Sequence, residues 1–150
     1  MGANNTNTLA SGDTLDGGAG RDTLKVFDDN VFGLFDAQSE ITNIEEVYVR
    51  LPDGDALVLH ETGREPAARV MVLFHGLSGC HAAPYMVRMA SQFLRRDWKV
   101  YRVDMRGCGA ARDHARQISH AGRSEDVGAA LDFIARRHPD APMAAIGVSL

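Results

Sequence analysis

Cysteine is nearly missing from this 150-residue sequence: Cys80 and Cys108 are the only two, in no CxxC or Cys/His spacing. That excludes a disulfide framework and gives no reason to expect a structural zinc site. Long apolar runs are missing too. The longest, Val70–Phe74, falls far short of the roughly 20 residues that span a bilayer. Met1–Ser11 is polar and lacks both a basic and an apolar stretch, so no secretory signal is expected. Neither G-x-G-x-x-G nor G-x-x-x-x-G-K-[ST] occurs, which weighs against a nucleotide-binding α/β domain. With a net charge of −4, no nucleic-acid partner is expected. What remains, 45% hydrophobic and 24% charged, is a globular composition.

The charge is unevenly placed. Residues 1–50 carry nine acids against three bases and no His or Cys, whereas residues 51–150 carry eleven acids against thirteen bases, all six His and both Cys. The expectation is therefore two parts: an acidic segment over 1–50 and a second domain over 51–150.

In the acidic part, Asp13-Thr14-Leu15 recurs nine residues later as Asp22-Thr23-Leu24, and Gly17–Lys25 fits the nonapeptide G-G-x-G-x-D-x-U-x. Glycines permit the positive φ of a tight loop that aims carbonyls at one point. An aspartate adds the hard oxygen that Ca²⁺ prefers. Residues 8–50 resemble the repeats-in-toxin (RTX, haemolysin-type) family on these grounds, with Ile41–Val47 similar to the strands beside such repeats. The resemblance implies Ca²⁺ as a ligand, with Asp13, Gly18, Gly20 and Asp22 as candidate ligands. Only one repeat is complete, and a single loop supplies few of the 6–8 oxygens a tight calcium site uses. The strongest strand candidate here is Ile44–Arg50.

From Leu51 the pattern changes. Pro52-Asp53-Gly54-Asp55 marks a turn between Val47–Arg50 and Ala56–His60, which reads as a β-hairpin. Arg69–Phe74 is apolar at nearly every position, as a central parallel strand is. A helix follows, with Pro84 in its first turn and Met86, Met89, Ala90 and Phe93 on one face. Lys99–Asp104 is a second strand. Ser124 offers an N-cap for a second helix with Val127, Ala130, Leu131 and Ile134 on its apolar stripe, and Pro139 ends it. Met143–Val148 is a third strand. The fold class expected is α/β: a parallel sheet with flanking helices and an N-terminal hairpin, preceded by the Gly/Asp-rich segment.

Sites on such sheets gather beyond the carboxyl ends of the strands. Three strand ends carry notable residues: His75-Gly76-Leu77-Ser78-Gly79, Asp104-Met105-Arg106-Gly107 and Gly147-Val148-Ser149-Leu150. The last supplies the first four positions of the nucleophile elbow G-x-S-x-G. Ser149 is the candidate nucleophile, and the amides of Leu77 and Leu150 are the candidate oxyanion hole. Asp104 is expected to anchor the loop after its strand.

Together with Leu51–Asp55, Arg106-Gly-Cys108 and His120-Ala-Gly122 followed by Asp126, these motifs make residues 51–150 resemble the α/β-hydrolase superfamily, YheT-like branch. The resemblance implies a serine esterase acting on small acyl or lipid esters without a cofactor. It makes His75 a support of the oxyanion loop, since the family's catalytic His follows the last strand. The Ala- and Arg-rich stretch Gly109–Arg116 departs from the family's more polar loop. The family's triad acid and histidine would follow Ser149 in chain order and are absent from these 150 residues, which read as the N-terminal half of the domain and are expected to be inactive alone. The competing reading is a secreted calcium-binding or adhesive module in residues 1–50. The hydrolase half favours a cytoplasmic location and the RTX-like half an extracellular one; oligomeric state stays open.

Overall fold

The structure, a computed structural model, describes residues 14–26, 40–42, 45–120 and 122–149. Eight strands and two α-helices follow in the order β1 (Thr14–Asp16), β2 (Thr23–Val26), β3 (Glu40–Thr42), β4 (Glu46–Arg50), β5 (Ala56–Thr62), β6 (Val70–Phe74), α1 (Pro84–Leu94), β7 (Lys99–Asp104), α2 (Ser124–Arg137) and β8 (Met143–Gly147). A 3₁₀ turn, Gly109–His114, occupies the loop after β7.

Six strands form one mixed, mostly parallel sheet in the order β2-β4-β5-β7-β6-β8. The hairpin is as the turn residues predict: β4 and β5 run antiparallel, with Arg50 opposite Ala56 and Gly54 at φ +88° in the turn. β5 then pairs antiparallel with β7, and β6 lies parallel to β7 on one side and β8 on the other. The change in composition at residue 50 thus falls between two paired strands.

The near-uniform apolarity of β6 has a direct cause. Val70, Val72 and Phe74 join a core with Val47, Val49, Leu57, Leu59, Tyr101 and Val103 beneath Ala130, Phe133 and Ile134 of α2. Met71 and Leu73 point the other way, to Val100 and to Met86 and Ala90 of α1. A strand covered on both faces has no position left for a polar side chain. The crossovers β6 to β7 and β7 to β8 step in opposite directions, and α1 and α2 pack against opposite faces of the sheet.

One helix boundary differs from expectation. Ser124 is the first residue of α2, and Arg123 precedes it with no side-chain capping bond. The Asp126 amide in that first turn bonds the Arg123 carbonyl, and its carboxylate bonds Arg106. In the acidic segment, β1 pairs parallel with β3 in a separate two-stranded sheet, while β2 pairs parallel with β4. Successive strands there alternate between two sheets. No described helix is long and apolar enough to cross a membrane.

Candidate active site

The loop after β6 is held by its own first residues. His75 is buried, and its Nε2 accepts the Met105 amide at 3.2 Å. The proton of the neutral ring must then sit on Nδ1, which donates to the Gly76 carbonyl at 2.7 Å. Both nitrogens are committed, so His75 fixes the loop and has no lone pair to act as a base. The Gly76 amide donates to the Tyr85 hydroxyl at 3.0 Å, and the Gly79 amide closes a turn onto the Gly76 carbonyl at 2.9 Å. Between them Leu77 is 78% exposed, and its amide has no partner among the described residues.

β8 delivers Ser149 to the same place. The last rung of the β6–β8 ladder is the Val148 amide on the Phe74 carbonyl, 3.1 Å. The chain then turns sharply, with Ser149 exposed and at φ +53°, a left-handed conformation that costs a non-glycine residue strain. A Cβ on Gly76 would lie 2.7 Å from the Val148 carbonyl oxygen and 3.2 Å from Ser149 Cβ. The absence of a side chain at 76 is what lets the two loops touch. Leu150 and its amide lie outside the described residues.

The loop after β7 is built around two buried charges. Arg106 bonds Asp126 through Nε and Nη2 at 2.7 and 2.6 Å, and reaches Asp53 and Asp55 through Nη1 at 2.6 and 3.0 Å. The Asp126 hydrogen bonds, with Asp53 behind them, hold the guanidinium charge well above its ordinary range. This network ties the strand end to the β4–β5 turn and to α2. Beside it, a cavity of about 530 Å³ lined by Val49, Leu51, Asp126 and Phe133 opens on the α2 side, away from Ser149.

Asp104 is fully buried and accepts His60 Nε2 at 3.0 Å, His81 Nδ1 at 2.6 Å, and the amides of His81 and Ala110 at 2.6 and 2.8 Å. Burial alone would push its carboxyl up. The bonds from His60, His81 and the two amides outweigh that and hold it well below the usual carboxylate range. A side chain at Gly109 (φ +49°) would fall on this carboxylate. Sequence reasoning places Asp104 as a loop anchor and misses its two histidines. The signal available is His60 itself, a polar residue closing the apolar run Ala56–Leu59.

The remaining histidines are engaged elsewhere: His114 edge-on to Tyr48, His120 accepting the Gly122 amide, and His138 on the Tyr101 hydroxyl. Among the described residues none of the six is hydrogen-bonded to Ser149. In the acidic loop, Gly18 and Gly20 adopt positive φ (+83° and +137°), and Asp22 is half-buried with its amide on Glu45 Oε2 at 2.7 Å. Asp13 lies outside the described residues. Three side-chain donors converge at one place among the described residues, and it is His60, His81 and Asp104, not this loop.

Comparison with known proteins agrees with this architecture. Residues 69–150, more than half of the chain, match the family model described as alpha/beta hydrolase fold. Over 105 residues the chain is 32% identical to the putative esterase YheT of Escherichia coli K12, covering 68% of this chain and 31% of that protein. Solved structures with the same fold include an alpha-beta serine hydrolase homologue from Coxiella burnetii (17% identity, TM-score 0.58, 69% of this chain and 50% of that one). Another is a serine hydrolase without a lid from Xanthomonas campestris (18% identity, TM-score 0.59, 68% and 49%). The chain thus spans about a third of the curated relative and about half of these structures. Esterases of this kind typically need no cofactor. By this match over more than half of its length, the chain belongs to the alpha/beta-hydrolase fold family.

Proposed function

We propose that these residues form the nucleophile-bearing part of a serine esterase site for carboxylic or lipid esters. Ser149 Oγ attacks the ester carbonyl, and the amides of Leu77 and Leu150 receive the developing oxyanion. His75 holds the Leu77 loop in place. The observation that carries this reading is the strained, exposed Ser149 at the carboxyl end of β8, pressed against Gly76. A left-handed serine on a strand-to-helix turn projects its hydroxyl above the sheet, where a substrate can reach it.

A serine hydroxyl is a weak nucleophile unless a base takes its proton. All six histidines are committed to other partners or lie away from Ser149, so the 150 residues by themselves should not turn over esters. The test has two arms. With short-chain p-nitrophenyl esters, the isolated chain and its Ser149→Ala variant should both run at the uncatalysed rate; serine-dependent turnover overturns the inactivity. In a polypeptide that continues through the family's acid and histidine, Ser149→Ala should lower kcat by at least about 10³-fold. Undiminished turnover there removes Ser149 from its role.

A further inference from the structure

His60 sits on β5, His81 in the loop that leads into α1, and Asp104 at the end of β7. These positions are 21 and 23 residues apart, so no ligand spacing is visible in the sequence. The fold nevertheless brings His60 Nε2, His81 Nδ1 and an Asp104 oxygen within 4.8 Å of one another. The structure assigns to this triad a binding site for a divalent transition metal of the zinc class, separate from Ser149 and serving to pin the loop that begins at His75.

The donor set is the first argument. Two imidazoles and one carboxylate suit Zn²⁺, Ni²⁺ or Cu²⁺ and leave a position for water. A tetrahedral cation at about 2.1 Å from each ligand sets the donors about 3.4 Å apart. The separations to Asp104 Oδ2 are 3.0 Å from His60 and 2.6 Å from His81, so these two contacts must open by roughly 0.4–0.8 Å to seat an ion. The two rings stack with centroids 3.5 Å apart at 22°, so one ring must turn about its Cβ–Cγ bond for both in-plane lone pairs to meet a single ion.

The surroundings are the second argument. Asp104 is oriented independently of the histidine rings by the amides of His81 and Ala110. Behind His60, Glu46 Oε1 lies 3.8 Å from Nδ1, in the place of the carboxylate that commonly backs a metal-ligating histidine. Arg102, half-buried, donates to the His81 carbonyl at 3.1 Å and holds that loop from below. His60 and Asp104 are buried while the His81 side chain is 21% exposed, which gives the ion and its water a way in. Proton balance is simple. Each ring binds through the nitrogen that now faces Asp104, and the proton there passes through solvent to the ring's other nitrogen, which for His60 faces Glu46, so the change of tautomer releases no proton.

The experiment uses the full, untagged chain stripped with a chelator. Zn²⁺ titrated against a chromogenic competitor should show one ion per chain with Kd of about 1 μM or tighter, and Co²⁺ should give visible d–d absorption. His81→Ala, at the most exposed ligand, should weaken binding at least about 100-fold and abolish the Co²⁺ spectrum, while His120→Ala leaves both unchanged. Imidazole ¹⁵N shifts on the unmutated chain make the outcome independent of whether a variant folds: Zn²⁺ must move His60 Nε2 and His81 Nδ1. Binding no tighter than about 100 μM, binding indifferent to His81→Ala, or unmoved nitrogens on both rings would each show that the triad is only a hydrogen-bonded clamp.

Discussion

His138 gives the chain an acid-sensitive joint whose strength can be worked out. It follows the last residue of α2, where the helix dipole would favour an imidazolium. Burial wins instead, with Lys99 and Arg137 adding to it against Glu65, and the pKa falls from 6.5 to about 4. The neutral ring shares a hydrogen bond at 2.7 Å with the Tyr101 hydroxyl, whose fully buried phenol is pushed well above 10 and keeps its proton. The unfolded chain therefore takes up this proton first as pH falls. Stability is complete above about pH 6.5, declines toward pH 4 and levels off below it. By pH 4 the loss is about 3 kcal/mol, from about 1.36 kcal/mol per pH unit over that window.

Glu61, raised by burial more than Arg137 and Lys99 lower it, acts with the opposite sign near the bottom of the window. A subtraction removes it. His138→Gln keeps a hydrogen-bonding partner for Tyr101 and cannot titrate. Urea unfolding can be followed through the single Trp98, which packs edge-on against Phe93. Between pH 7 and 4 the unmodified chain should lose about 1.5 M more of its urea midpoint than the variant, at an m-value of about 2 kcal/mol/M. Parallel curves for the two proteins would show that His138 does not titrate across this window, and the reasoning would fall.

Gly76→Ala should cost about 1–3 kcal/mol, because the new methyl meets the Val148 carbonyl, a backbone atom that cannot rotate away. Amide shifts confined to residues near 76 and 148–149, with a lowered Tm, are the expected signature; an unchanged Tm contradicts it. Arg106→Met should cost about 3–5 kcal/mol in urea unfolding, since Asp55 and Asp126 stay buried without their counter-charge. A loss below about 1 kcal/mol would mean water or Arg116 replaces the guanidinium.

Much of this arrangement was legible because each signal was local. Val70–Phe74 announces a doubly covered strand, Pro52–Asp55 a hairpin, and Met86, Ala90, Ala130 and Ile134 the buried faces of two helices. Gly147-Val-Ser149 gained meaning from the strand beneath it. What the sequence could not display is partner choice across the sheet. Nothing local in β7 shows that it sits between β5 and β6, and without that order His60 and Asp104 cannot be seen as neighbours. Arg106 is similar: its motif is readable, but the three carboxylates around it come from the β4–β5 turn and α2. Ser124 misleads in a smaller way: it is already inside the helix, and the Asp126 amide is met by the Arg123 carbonyl.

The two flanks of the sheet are not equivalent. On one side β2, four residues long, lies along the outer edge of β4. Short edge strands are poor templates for another chain. On the other side β8, Met-Ala-Ala-Ile-Gly, has β6 as its one neighbour among the described residues and bears no charge. The acidic segment thus acts as a bookend. That leaves the longer, uncharged flank at Met143–Gly147, beside the turn that carries Ser149, as the sheet's open side for a further strand.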